Sequence, residues 1–67
     1  MIPKVGEWYT DGNRSYKVVK VDRGIVTFWD IYQKGYVAKV AATRETSLLQ
    51  WEADVASGAL RRTVKVK

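Results

Sequence analysis

The stretch SYKVVKVDRGIVTFWDIY, residues 15–32, decides the fold, because two runs rich in valine, isoleucine and aromatic residues surround a single turn. This composition is typical of β-strands. Ser15 to Val21 is predicted as one strand and Ile25 to Tyr32 as the next. Asp22-Arg23-Gly24 is predicted to close the hairpin between them, since glycine adopts positive φ without steric cost.

Apolar side chains alternate irregularly in this hairpin. In its first strand, Tyr16 and Val18 point one way while Val19 and Val21 point the other. Either both faces of the strand are partly covered, or a β-bulge shifts the register. The second strand is apolar on both faces, which is typical of a strand at the centre of a fold or under a helix. Its two faces are Ile25, Trp29 and Ile31 on one side, and Val26, Phe28 and Tyr32 on the other.

Two further strands are predicted on either side of the hairpin. Glu7 to Thr10 precedes it, and the Asp-Gly pair in Asp11-Gly12-Asn13 favours a tight turn after that strand. Gln33-Lys34-Gly35 is predicted as the next turn, and Tyr36 to Val40 as the fourth strand.

A change of period after residue 46 predicts one short helix. Ser47 can cap its first turn with Gln50 as the capping-box partner, and Gly58 is a plausible C-terminal stop. An apolar stripe at helical spacing would pack on the sheet, formed by Leu48, Trp51 and Val55. Leu60 to Lys67 alternates again and is predicted as a fifth strand, with Leu60, Arg62, Val64 and Val66 on one face and Arg61, Thr63, Lys65 and Lys67 on the other.

These elements predict a mainly β fold formed by residues 1–67 as a single small domain. Strand count and hairpin order fit a five-stranded antiparallel SH3-like barrel, in which a short helical element commonly precedes the last strand. An OB-like barrel fits less well, because its helix usually follows the third strand. The main alternative is an open antiparallel sheet with the helix on one face.

Composition argues against catalysis and against cofactors. The 67 residues include no cysteine and no histidine, so a structural zinc site and a histidine-dependent triad are not expected. Asp30 is the one acid inside an aromatic strand, where a solvated or salt-bridged position is expected. We therefore predict that the chain is not an enzyme and binds no metal or other cofactor.

Location is predicted from the same composition. Absence of cysteine fits a reducing cytoplasm, and no run approaches the length of a membrane span. The first seven residues contain no apolar signal region, so no export signal is expected there.

Net charge is +5, which favours acidic partners and nucleic acid first among them. The last seven residues include four cations and no acid: Arg61, Arg62, Lys65 and Lys67. Along one strand face Arg61, Lys65 and Lys67 would be spaced by roughly 7 to 13 Å, which suits successive phosphates. The alternative is a charged edge strand that discourages aggregation.

Eight aromatic residues are many for one core of this size. Trp8, Phe28 and Trp51 are expected in the core, while Tyr32 and Tyr36 near a turn are candidates for exposed rings. Rings interleaved with cations such as Lys17 and Lys20 suit nucleic acid, with bases stacked on the sheet. Exposed rings would equally suit a protein partner.

Part of the chain resembles a known class of small proteins. The stretches VGEWYTDG (residues 5–12) and YKVVKVDRGIVTF (residues 16–28) are similar to the opening hairpins of short phage, prophage and plasmid-borne proteins with SH3-like barrels. The resemblance covers about a third of the chain and implies a barrel fold and an accessory role in a mobile element. It implies no binding residues, because the shared positions are structural.

Together these patterns predict non-catalytic binding of nucleic acid, with DNA favoured over RNA, by an accessory or regulatory protein. Phosphate contacts are predicted from Arg61, Arg62, Lys65 and Lys67, with Lys17, Lys20, Tyr32 and Tyr36 as lesser candidates. The alternative is a protein-binding adaptor or inhibitor with an exposed aromatic surface. A third option is a homo-oligomer formed through a sheet edge or the helix.

Overall fold

The computed structural model describes residues 2–34 and 37–64 of the chain. The described residues form five strands and one helix, in the order β1 (Trp8–Thr10), β2 (Ser15–Asp22), β3 (Ile25–Lys34), β4 (Val37–Ser47), α1 (Leu48–Ser57) and β5 (Arg61–Thr63). The predicted sequence of elements is confirmed.

All five strands belong to one antiparallel sheet, in the order β4-β3-β2-β1-β5. β4 and β5 are therefore its two edges, and no pairing between described residues joins them. The predicted five-stranded antiparallel sheet with a helix before the last strand is confirmed. Closure into a barrel is not confirmed, and over the described residues the sheet is open.

The β2–β3 hairpin departs from a regular ladder at two points. Arg23 and Gly24 both adopt positive φ, 51° and 75°, as the two central residues of a type I′ turn do. A bulge interrupts the pairing between Val18 and Lys20, which confirms one of the two explanations for the irregular alternation in β2. Because of the bulge, Val18 and Val21 lie on the same face of the sheet, not on opposite faces.

The core lies between α1 and one side of the sheet, which we call the helix face. Its strand residues include Tyr9, Val18, Val26 and Phe28, and both valines are fully buried. Trp51 of α1 is 2% exposed, and its ring centroid lies 5.0 Å from that of Tyr9 and 5.2 Å from that of Phe28. Aromatic pairs at this distance are favourable beyond the area that they bury. The predicted packing of the helix on the sheet is confirmed for Leu48 and Trp51, whereas Val55 is 39% exposed and lies outside the core cluster.

Both predicted helix ends are confirmed, but the Gln50 side chain donates to Asp54 Oδ1 and is not the predicted capping-box partner. The Ser47 hydroxyl accepts a hydrogen bond from the backbone amide of Gln50 at 3.0 Å, which satisfies one of the free amides of the first turn. Gly58 ends the helix in the left-handed conformation, with φ of 84°.

Three boundaries differ from the predictions. β4 was expected over Tyr36 to Val40 but continues to Ser47, because β3 is long enough to pair with it throughout. Gln33-Lys34 does not form a turn, since both residues extend β3, while Gly35 lies outside the described residues. The fifth strand was expected over Leu60 to Lys67; it is formed by Arg61–Thr63, while Val64 is outside the strand and 82% exposed. Residues 65–67 lie outside the described residues.

Candidate nucleic-acid interface

The bulge in β2 decides which cations share a face. Lys17 lies opposite Trp29 in the sheet, and Lys20 lies opposite Thr27. Residues three apart in a regular strand point to opposite faces, but the extra residue Val19 offsets one alternation. Lys17 and Lys20 therefore point to the same side of the sheet, away from the helix.

Lys17 lies between two tryptophans from the neighbouring strands. Trp8, Lys17 and Trp29 are aligned across β1, β2 and β3. The Lys17 Nζ atom lies 5.9 Å from the Trp8 ring centroid and 5.3 Å from that of Trp29, within the range of cation–π attraction. We call this side of the sheet the tryptophan face. Its other members, from the register and alternation of the strands, include Lys20, Thr27, Thr43, Arg61 and Thr63.

The rings of the tryptophan face are accessible. Trp29 is 37% exposed and Trp8 is half-buried, and α1 packs on the opposite side of the sheet. The expectation that Trp8 belongs to the core is therefore wrong. Its side chain follows the odd positions of β1, whereas Tyr9 fills the position that faces the helix.

Arg61 extends the positive charge of this face to the edge strand. It lies opposite Thr10 in β1 and is exposed. Within residues 2–34 and 37–64, Lys17, Lys20 and Arg61 form no ion pair. Their charges are therefore available to an anionic ligand. The acids of this face, Asp22 and Glu45, lie near the β2–β3 turn, where they line a small groove with Lys20.

Arg62 points the other way and already has a partner. It lies opposite Tyr9, with its guanidinium carbon 5.7 Å from the Tyr9 ring centroid, and it donates a hydrogen bond to Glu7 Oε2. A backbone hydrogen bond from Lys4, aided by Tyr9 and Arg62, lowers the pKa of Glu7. The carboxylate therefore stays ionised at neutral pH, and the structure separates Arg62 from the cations of the tryptophan face.

Of the other predicted site residues, Tyr32 is described and does not lie on this face. Tyr32 is 39% exposed, but strand alternation places it on the opposite side from Trp29, next to Lys39 of β4. Tyr36, Lys65 and Lys67 lie outside the described residues. The tyrosine and C-terminal parts of the predicted site therefore stay predictions.

A larger groove lies on the helix face, with a volume of about 640 Å³. Asp30, which is 2% exposed, lies at its base with one carboxylate oxygen 3.2 Å from Arg14 Nη1 and the other 3.0 Å from Arg44 Nε. The expectation of a solvated or salt-bridged position is confirmed, and Asp30 takes the salt-bridged form. The groove is lined by three carboxylates and two guanidiniums, so it does not favour a polyanion: Asp11, Asp30, Asp54, Arg14 and Arg44.

Sequence reasoning missed Trp8 and Trp29 as site residues. If β2 and β3 paired without a bulge from the two-residue turn onward, Lys17 would lie opposite Asp30. The bulge moves it opposite Trp29. The sequence does contain one indication of the site, which is the irregular alternation of apolar residues at Val18-Val19. Only the register with a bulge there places both tryptophans beside Lys17.

Comparison with protein-family models, with curated proteins and with solved structures finds no match for this chain. No helix among the described residues is long and apolar enough to cross a membrane. In the same part of the chain, no cluster of three or more acidic, histidine or cysteine side chains could ligate a metal ion.

Proposed function

We propose that this protein is a non-catalytic nucleic-acid-binding protein with DNA as its preferred ligand, and that it binds through the tryptophan face. The observation that supports this most is the convergence of Lys17, Lys20 and Arg61 on one exposed side of the sheet, where none of them has an ion-pair partner among the described residues. A polyanion gains from such a surface because neutralised phosphates release their counterions.

The distribution of acids favours the tryptophan face over the helix side, because its acids, Asp22 and Glu45, both lie towards the β2–β3 turn. Four carboxylates of the helix side have partners: Glu7 with Arg62, Asp11 with Tyr16, Asp30 with Arg14 and Arg44, and Asp54 with Gln50. Arginines on that side are therefore largely neutralised. The excess positive charge, +5 for the whole chain, therefore lies mainly on other parts of the surface. The tryptophan face has part of this charge together with exposed rings.

A salt titration with matched charge variants tests the proposal. Lys20→Gln with Arg61→Gln removes two charges from the tryptophan face. Lys4→Gln with Lys39→Gln removes two exposed charges from other positions. The slope of log K against log salt on duplex DNA should flatten by about two units in the first variant, since each phosphate contact contributes roughly 0.9.

The control variant should keep nearly the parental slope, because long-range attraction is screened within about 10 Å at 0.1 M salt. Equal flattening in both variants would show diffuse attraction by net charge and contradict a site on this face. Absence of any binding to DNA or RNA at about 50 mM salt would reject the proposed function altogether.

A protein ligand is the second candidate, because exposed tryptophan is also enriched at protein–protein hot spots. The exposed apolar side chains Val37 and Leu49 lie on β4 and α1 and not on the tryptophan face. An adaptor that used them would be insensitive to the Lys20 and Arg61 changes. Replacing Leu49, which is 82% exposed, would then weaken binding of the protein partner.

The fold relationship and biological setting are part of the proposal. An SH3-like barrel is supported by the placement of β5 beside β1 and of the helix immediately before β5. The resemblance of residues 5–12 and 16–28 to short phage and plasmid proteins supports an accessory role in a mobile element.

A further inference from the structure

We infer that the tryptophan face selects unpaired nucleotides, with one base stacked on Trp8, another on Trp29, and the intervening backbone over Lys17. This inference rests on the proposed function and specifies its ligand as single-stranded nucleic acid. Base–aromatic stacking and charge attraction are the two contributions by which proteins bind single strands.

The geometry of the sheet sets the separation of the two stacking positions. Trp8 and Trp29 lie in β1 and β3, with one strand between them. Neighbouring strands are about 4.8 Å apart, so the two backbone positions are separated by roughly 10 Å. The Lys17 ammonium group lies close to both rings between these positions, so each indole offers its own stacking position. Two splayed bases, each on its own indole, fit the separation.

Lys17 lies where the phosphate between two such bases would pass. Its ammonium group is nearly equidistant from the two ring centroids, at 5.9 and 5.3 Å. The contacts with both rings restrain the side chain before a ligand arrives, which reduces the entropy lost on binding. A ligand strand would thus cross the sheet from β1 to β3, with Arg61 and Lys20 on either side of its path.

Duplex DNA cannot use these rings in the same way. Its bases are paired and stacked inside the helix, so only phosphates and groove edges would meet a β-sheet surface. A duplex would therefore gain the charge contribution alone, whereas a single strand would gain charge and stacking together. The expected preference is for the single strand.

The experiment compares a short oligothymidylate, an oligouridylate and a mixed-sequence duplex at one salt concentration. Binding is followed by anisotropy of the labelled nucleic acid, with Trp29→Ala, Trp29→Phe and the parent protein side by side. Trp29→Ala should weaken single-strand binding by roughly 5- to 150-fold, the range for loss of one stacked base, and should weaken duplex binding much less. Trp29→Phe keeps a ring and should recover most of the affinity.

Tryptophan fluorescence gives a second readout that does not depend on affinity. The chain has three tryptophans, and Trp51 is buried in the core on the opposite side of the sheet. Oligothymidylate should quench the tryptophan fluorescence of the parent protein. In a variant with Trp8→Phe and Trp29→Phe, where only Trp51 emits, binding should produce little quenching.

The outcomes separate the inference from the proposed function. If duplex and single strand bind with equal affinity and Trp29→Ala changes neither affinity, the stacking inference is overturned. Charge-based binding, the proposed function, would then still stand. No binding of any of the three probes at about 50 mM salt would reject the proposed function and this inference with it. A melting curve of each variant verifies that the fold is intact.

Discussion

Tyr16 is a single residue that joins the first turn to the sheet. Its hydroxyl donates to Asp11 Oδ2 at 2.6 Å, while Asp11 Oδ1 accepts from the backbone amides of Asn13 and Arg14. Its ring packs edge-to-face on Phe28 with centroids 5.4 Å apart. Burial, followed by the Asp11 carboxylate, raises the pKa of Tyr16 to about 12.

This network predicts a specific loss of stability in base. Folding raises the pKa of Tyr16 from its ordinary value near 10, so its contribution is fully present below pH 10 and is lost as the pH rises towards 12. Tyr16→Phe should be less stable than the parent at neutral pH, because it lacks the hydrogen bond to Asp11. Urea unfolding at successive pH values should show the two proteins converging in free energy of unfolding above pH 10. A gap that stays constant to pH 12 would contradict the assigned contact.

The β2–β3 turn is the clearest case of an element controlled by one residue. Gly24 has φ of 75°, and nothing lies within 4 Å of the position that a Cβ would occupy. Gly24→Val should therefore destabilise the protein through backbone strain and not through a clash, by about 1–3 kcal/mol.

Gly24→Asn is the matched control, because asparagine enters the left-handed region more easily than a β-branched residue. In denaturant unfolding it should retain most of the parental midpoint. Equal midpoints for the valine variant and the parent would mean that the turn does not constrain the hairpin.

Local chemistry made several elements predictable from the sequence. Asp-Gly and Arg-Gly pairs indicate the turns, and Ser47 and Gly58 mark the helix ends, because these residues satisfy backbone requirements within a few positions. The length of β4 was not predictable in this way. The segment from Ala41 to Thr46 has only modest strand propensity, and it becomes a strand because β3 supplies a pairing partner for every residue after the bulge at Ala41.

The candidate site was predictable only in part, for a similar reason. Lys17, Lys20 and Arg61 were selected from charge, which is visible in the sequence. Their presence on one face, and the inclusion of Trp8 and Trp29, depend on a bulge whose position is fixed by pairing between β2 and β3. Charge alone also selected Arg62, which the fold pairs with Glu7.

The two sides of the sheet have different tasks at the scale of the whole molecule. The helix side contains the core cluster and the ion pairs of Asp30 and Glu7. The tryptophan face has two accessible indoles and, among the described residues, cations without ion pairs. Stability and the proposed binding are therefore assigned to opposite sides, so that surface changes to the tryptophan face should leave the fold intact.

Binding of nucleic acid on the tryptophan face can be tested with the three indole N–H groups. Each tryptophan gives one indole signal in a proton–nitrogen correlation spectrum of labelled protein, and single Trp→Phe variants assign the three. Adding oligothymidylate should shift the signals of Trp8 and Trp29. The signal of Trp51, which is buried between the helix and the sheet, should stay nearly unchanged. Shifts confined to Trp51 and the groove around Asp30, with Trp8 and Trp29 unmoved at saturation, would contradict the account.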